Sequence, residues 1–252
     1  IYHMLNIVIP MAGRGSRFAS AGYAFPKPLI DVAGHTTIEV VIKNLRPKKI
    51  KDFRFIFICQ REHYEQYDLN NIFRNAVGGD NFEVVKLNGM TAGAACTVLT
   101  AKMFINNKDG MLIANSDQYI DFDIDKFIEK AREGNKQGLI QTFESSHPKW
   151  SYVRLDKDGK VLETAEKKLI SNKATTGLYY FKQGSDFVRA TEAMIKKDCK
   201  YNGEFYVCPV YNELIIEGAE IFIDDITIDK MHGLGTPEDL NNFLDHLKTG
   251  QV

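Results

Sequence analysis

The feature that most restricts how this chain can fold is an alternation that runs from Leu5 to Asn115. Short apolar runs rich in β-branched and aromatic residues occur at Leu5–Pro10 (LNIVIP), Phe53–Cys59 (FRFIFIC), Phe82–Leu87 (FEVVKL) and Met111–Asn115 (MLIAN). Between them lie longer segments, Thr36–Leu45, Glu62–Asn75 and Ala92–Ile105, whose apolar residues recur at helical spacing. Strands alternating with helices predict βαβ units, hence an α/β, Rossmann-like fold with a mixed, mostly parallel central sheet flanked by helices. After Asp117 the rhythm changes: Gly138–Phe143, Tyr152–Leu155, Val161–Thr164 and Thr175–Phe181 read as strands with few helices between them, and Asp156–Lys160 (DKDGK) as a hairpin turn. The second half is therefore expected to add antiparallel strands that wall one side of a cleft. Helices return at about 185–197, 206–217 and 237–248, the last with Pro237 in its first turn followed by Glu238 and Asp239.

With 252 residues and 44% hydrophobic content, one core of this size needs no disulfide or structural metal. The 32 basic and 33 acidic residues leave a net charge of -1, so no global field recruits nucleic acid or an anionic membrane, and a small molecule is the expected partner. No apolar stretch approaches the ~18 residues of a membrane span, and the N-terminus lacks a signal-peptide layout, which predicts a cytoplasmic protein. Ile1-Tyr2-His3 reads as added sequence ahead of a start at Met4. Cys59, Cys96, Cys199 and Cys208 share no CxxC spacing and sit in apolar runs, as expected of buried reduced thiols.

Directly after the first strand comes Met11-Ala12-Gly13-Arg14-Gly15-Ser16-Arg17-Phe18, followed by Phe25-Pro26-Lys27-Pro28-Leu29. A glycine-rich turn at the C-terminal end of a strand lets backbone N–H groups approach phosphate oxygens, at the sheet edge where open α/β folds bind ligands. Arg17 and Lys27 are placed to neutralise phosphate charge, the latter between two prolines that restrict its backbone. Two other phosphate motifs are excluded: the dinucleotide fingerprint would need glycine where Phe18 stands, and no Gly-Lys-Ser/Thr of a P-loop is present.

AGRGSRF followed by PKPLIDVAG resembles the signature of sugar-nucleotide pyrophosphorylases and related nucleotidyltransferases, whose motifs recur in order along nearly the whole chain. The resemblance implies a single domain, 4–252, with a nucleotide-binding part at about 4–135 and an acceptor-binding part at about 136–235. It also implies a reaction: a nucleoside monophosphate moves from an NTP to a phosphorylated small molecule, and pyrophosphate leaves. By the same resemblance Met11, Ala12, Gly13, Gly15, Ser16 and Arg17 wrap the NTP, and Lys27 is the signature lysine. Ala92 and Gly93, in GMTAGAA, are similar to the family segment that packs against the base, and Asn115, Ser116 and Asp117 follow the fourth strand with Asp117 as ligand to Mg²⁺. On the acceptor side, Glu166 and Lys167 precede a strand containing Gly177, and Glu204 follows later. Two departures are visible there: Lys168 replaces a usual proline, and Thr176 stands near a usual Asn or Ala.

Gly233-Leu234-Gly235-Thr236-Pro237-Glu238-Asp239-Leu240 is similar to the family's closing segment, but a frequent second aspartate before it is Gly233 here. Either Asp117 holds Mg²⁺ with triphosphate oxygens and water alone, or Asp225 or Asp229 substitutes, Asp229 being the nearer in sequence. More narrowly, AGYAFPKPLIDV and MHGLGTPEDL resemble capsule-biosynthesis members of the family, which implies CTP and phosphoglutamine as substrates. A sugar 1-phosphate with another NTP is the alternative, and a homo-oligomer is compatible with the resemblance. From other classes, a glycosyltransferase would carry DxD where Asn115-Ser116-Asp117 has one acid, and a non-catalytic subunit would not need Arg17, Lys27 and Asp117 together.

Overall fold

The computed structural model describes residues 3–249. The added sequence expected at Ile1 and Tyr2, and the domain end expected at 250–252, lie outside the described residues. In chain order come β1 (Leu5–Pro10), α1 (Ser16–Ser20), β2 (Asp31–Val32), β3 (His35–Thr36), α2 (Thr37–Leu45), β4 (Phe53–Gln60), α3 (Arg61–Gln66), α4 (Leu69–Val77) and β5 (Phe82–Leu87). Next are α5 (Ala94–Leu99), α6 (Lys102–Ile105), β6 (Gly110–Ala114), β7 (Gln118–Ile120), α7 (Ile124–Arg132), β8 (Gly138–Glu144), β9 (Ser151–Leu155), β10 (Val161–Glu166) and β11 (Lys173–Phe181). The chain closes with α8 (Gly184–Lys196), α9 (Val210–Ile216), β12 (Ile221–Ile226), β13 (Met231–Gly233) and α10 (Pro237–Lys248).

The apolar runs form one nine-stranded sheet in the order β10-β9-β11-β6-β1-β4-β5, with β8 also paired to β11 and β12 paired to β8. All strands but β10 and β11 point the same way, so the sheet is mixed and mostly parallel, with the antiparallel pairings in the second half as expected. β1 shows why both faces need cover. Leu5, Ile7 and Ile9 enter one apolar cluster with α2, α4 and α7, while Val8 enters another with α5, α8 and α9, as period-two alternation dictates. Helices therefore flank the sheet on both sides.

Several elements depart from the expected order. α7 was not foreseen, although Ile124, Phe127, Ile128 and Ala131 follow helical spacing and the Asp123 carboxylate accepts the N–H groups of Asp125 and Lys126 at its start. The segment 62–75 is two helices because Asp68 adopts a left-handed backbone, φ 48°, which a helix interior does not admit. The segment 92–105 is likewise split, into α5 and α6. The helix expected from 206 begins only at Val210, after Pro209 at its N-cap. Asp224 and Asp225 lie within β12. Among the described residues no helix is long and apolar enough to cross a membrane. All four cysteines are unpaired; Cys59 and Cys208 are buried as expected, whereas Cys96 is half-buried and Cys199 exposed.

Candidate active site

β1 delivers the glycine turn to the C-terminal edge of the sheet, next to the ends of β4 and β6, its neighbours on either side. The Met11 N–H still donates to Ile58 O at 2.8 Å, so the turn leaves the sheet only after Met11. Gly15 caps α1 in the left-handed region, φ 61°, and a Cβ there would lie 3.0 Å from the Lys27 Cβ. Glycine at 15 thus serves two needs, the backbone conformation and the close approach of the Lys27 segment. Gln60, at the end of β4, donates to Ala12 O at 2.7 Å and Gly89 O at 3.1 Å and so ties the turn to the loop before α5.

Lys27 opens a short 3-10 turn between Pro26 and Pro28, and its Nζ donates to Asp117 Oδ2. Asp117 follows β6 and precedes β7, which pairs antiparallel with β13. The Leu234 N–H donates to Asp117 O at 2.7 Å, and a Cβ on Gly235 would lie 2.8 Å from Asp117 Oδ2. A residue with a side chain at 235 would crowd the carboxylate.

These groups border a cleft in two halves. The first, of about 420 Å³, is lined by Met11, Ala12, Gly13, Gly15, Arg17, Lys27, Gly93, Asn115, Ser116 and Asp117 from the expected set, together with Met90 and Thr91. The second, of about 510 Å³, is lined by Glu166, Lys167 and Gly177, with Trp150, Ser151, Gly233 and Asp239. Arg17, Ala94, Asn115, Asp117 and Tyr206 border both, so the halves open into one another at these residues.

Some expected residues fall elsewhere. Ser16 and Ala92 line neither half; Ala92 O instead accepts from the Phe205 N–H at 2.8 Å. Gly93 reaches the cleft, but its φ of 125° and the 2.6 Å that would separate its Cβ from Phe205 N show that backbone packing also demands glycine there. Glu204, expected among the acceptor residues, borders the glycine-turn half. Asp229 sits on an exposed 3-10 turn away from both halves, and Asp225 is engaged by Thr142 Oγ1 at 2.7 Å and Lys173 Nζ at 2.6 Å.

The second half is a network of side chains from strands and loops far apart in the sequence. Ser151 Oγ donates to Glu166 Oε2, and burial pushes the Glu166 carboxyl above its ordinary range despite that bond and the nearby Lys167 charge. Lys167 adopts φ 49° and donates to Tyr206 Oη at 3.1 Å, which raises the lysine's pKa, and the Tyr206 O–H donates to Glu204 Oε2 at 2.9 Å. Gly177, φ 96°, sits where β11 bulges against β8, and a Cβ there would run into Asn115 Nδ2. Among the described residues no group of three or more His, Cys, Asp or Glu could hold a metal. Mg²⁺ nonetheless suits the Asp117 edge, because that ion is content with one or two carboxylates plus phosphate oxygens and water, and the side-chain-free Gly235 leaves room beside the carboxylate. Gln60, Trp150, Ser151, Tyr206 and Asp239 were not singled out for the site from sequence. Only Asp239 had left a local signal, as an acid in a helix's first turn.

The geometry agrees with comparison to known proteins. The Nucleotidyl transferase family model matches residues 7–205. The bifunctional protein GlmU of Methanococcus maripaludis is 28% identical over 181 residues, 69% of this chain, and the chain spans 39% of that relative's length. Among solved structures, a nucleoside-diphosphate-sugar pyrophosphorylase from Vibrio cholerae superposes with a TM-score of 0.78 at 27% identity, covering 95% of this chain and 99% of that one. The inositol-1-phosphate CTP transferase of T. maritima shares the fold, with a TM-score of 0.75 at 15% identity over 98% and 96% of the two chains. With a glycine turn, two cations and a carboxylate at one sheet edge and a family match over most of its length, this chain belongs to the nucleotidyl transferase family.

Proposed function

We propose that the protein transfers a nucleoside monophosphate from an NTP, CTP by preference, to a phosphorylated small molecule, with phosphoglutamine as the favoured acceptor and pyrophosphate as the product. The observation that supports this reading is that Arg17 and Asp117 stand where the two halves of the cleft meet, with Lys27 paired to Asp117 beside them. An NTP in the glycine-turn half would lay its phosphates across backbone N–H groups and the two cations. Lys167 then orients the acceptor phosphate in the other half. One of its oxygens attacks the α-phosphorus in line, a P–O bond forms, and the bond to the β-phosphate oxygen breaks, leaving pyrophosphate. A phosphate acceptor is already anionic at neutral pH, so no side-chain base is required; positioning and charge neutralisation supply the catalysis. Mg²⁺, held at Asp117, would offset triphosphate charge and polarise the α-phosphorus.

CTP and phosphoglutamine rest on the resemblance of AGYAFPKPLIDV and MHGLGTPEDL to capsule-biosynthesis members of the family. A sugar 1-phosphate with another NTP is the second reading, favoured by the V. cholerae neighbour, whose name describes a pyrophosphorylase of nucleoside-diphosphate sugars. Pyrophosphate release measured with CTP, UTP, dTTP, GTP and ATP, against phosphoglutamine and a set of sugar 1-phosphates, tests both. A pyrimidine preference with CTP first is expected, and a purine preference would overturn the donor assignment. Turnover of a nucleotide sugar with transfer of the sugar itself would instead indicate a glycosyltransferase.

A further inference from the structure

We propose that Asp239 is the second carboxylate of the cation site, occupying the space that a side chain at position 233 would fill. Gly233 ends β13 and is not among the glycines with left-handed φ, so its backbone conformation does not itself require glycine. What a side chain there would meet is specific. A Cβ on Gly233 would lie 3.2 Å from Asp239 Cγ and 3.3 Å from Asp239 Oδ2. Asp239 reaches this place from the first turn of α10, where its own N–H donates to Thr236 Oγ1 at 3.1 Å.

Leu234, between Gly233 and Gly235, is buried in an apolar cluster with Phe18, Leu240 and Phe243. Its two neighbours, Gly233 and Gly235, both line the cleft. The pair of glycines thus forms a bare strip. The Asp117 carboxylate stands over one end, beside Gly235, and the Asp239 carboxylate over the other, beside Gly233. Asp117 is paired with Lys27, and the electrostatic situation of Asp239 differs from that of Asp117 and of the other acids on β12 and just before it. Asp224 and Asp225 pair with Lys130 and Lys173, and Glu220 with Lys160. Among the described residues no side chain donates to the Asp239 carboxylate, so this half-buried acid faces the cleft with its acceptor capacity open. A position in the first turn of a helix favours an acid there, but it does not account for the two side-chain-free positions, on either side of Leu234, between that acid and Asp117. A divalent cation that takes oxygen from both, with phosphate and water completing its shell, accounts for both features.

The nature of the cation rests on the nucleotidyl-transfer reading above, and the experiment separates the two. Mn²⁺ binding is followed by electron paramagnetic resonance, with and without CTP, in wild type, Asp239→Asn, Asp239→Ala and the double variant Gly233→Asp/Asp239→Ala. Thermal melts confirm that each variant is folded, and Asp239→Asn keeps a polar group in the helix turn if the alanine variant melts early. Removing the carboxylate is expected to weaken Mn²⁺ at least about tenfold, the lower end of what a lost metal-site group commonly costs. The double variant, with room for a carboxylate on 233 once Asp239 is truncated, is expected to regain most of that affinity, which a purely structural role for Asp239 would not produce. Wild type that binds no Mn²⁺, Asp239→Asn that binds within about twofold of wild type, or a double variant no better than Asp239→Ala would each overturn the proposal. Absence of pyrophosphate release with any NTP, alongside the expected Mn²⁺ pattern, would instead overturn the nucleotidyl-transfer reading and leave the two-carboxylate site standing.

Discussion

On the glycine-turn side of the cleft, the lining is backbone, small residues and two cations, Arg17 in the turn itself and Lys27 farther along the chain. On the far side it is side chains that only tertiary structure brings together: Glu166 held by Ser151, and Lys167 held by Tyr206, whose O–H reaches back to Glu204 on the glycine-turn side. Under the proposed function the first side would take the triphosphate, whose shape does not vary from one NTP to another. The second would take the acceptor, because exchanging single side chains there leaves the sheet untouched. Asp117 belongs to both sides.

The largest effect is therefore expected at the junction. Asp117→Asn should lower pyrophosphate release by at least about tenfold, since several kcal/mol of charge stabilisation in the transition state depend on a metal ligand. Its melting temperature should stay close to that of wild type, because the carboxylate faces the cleft and leaves the core intact. Circular dichroism with a pyrophosphate assay checks both, and substantial residual turnover would remove Asp117 from the metal site.

A sharper division of the halves comes from two lysines. Lys27→Ala should lower kcat/KM for the NTP by about 10- to 100-fold, corresponding to a charge-assisted hydrogen bond of about 1.5–3 kcal/mol. Lys167→Ala should mainly raise the KM of the acceptor and leave that of the NTP unchanged. If Lys167→Ala raised only the KM for NTP, the assignment of the halves would have to be exchanged.

The smallest effect concerns stability on the far side. Burial holds the Glu166 carboxyl above its ordinary value of 4.5, so the folded protein binds that proton more tightly than the unfolded chain does. Stability is accordingly lost as pH rises from about 4.5 through the raised folded pKa. Glu166→Gln, which can still accept from Ser151, should melt higher than wild type at pH 8, with the gap closing toward pH 4.5. A gap that widened on acidification would show that the carboxylate is stabilised in place.

The same contrast explains what could be read from the residues in order. β1, β4, β5 and β6 are legible because each is a short apolar run between turn residues, the glycine turn and Asp117 because each lies just after such a run, and Lys27 because two prolines flank it. The break at Asp68 was not, since a left-handed aspartate in an otherwise helical pattern leaves no periodic trace. Tyr206 and Ser151 carried no local signal at all; their roles arise from pairing of β9 with β10 and from the approach of the 201–206 loop. Asp229 is the nearer of the two substitutes in sequence, but distance along the chain says little at an edge where β12 gives way to an exposed turn. Asp239, farther along, reaches the cleft because α10 folds back over β13.

The short ribbon of β7 and β13 joins the residue after the fourth long strand to a segment synthesised near the end of the chain, and the Leu234 N–H fastens Asp117 itself. A polypeptide emerging from the ribosome would complete the glycine turn, Lys27 and the main sheet before the residues that brace Asp117 exist. Bracing of Asp117 thus waits for translation to pass residue 234, and a nascent or proteolytically shortened chain ending before it would hold the glycine-turn half of the cleft with Asp117 tied by Lys27 alone.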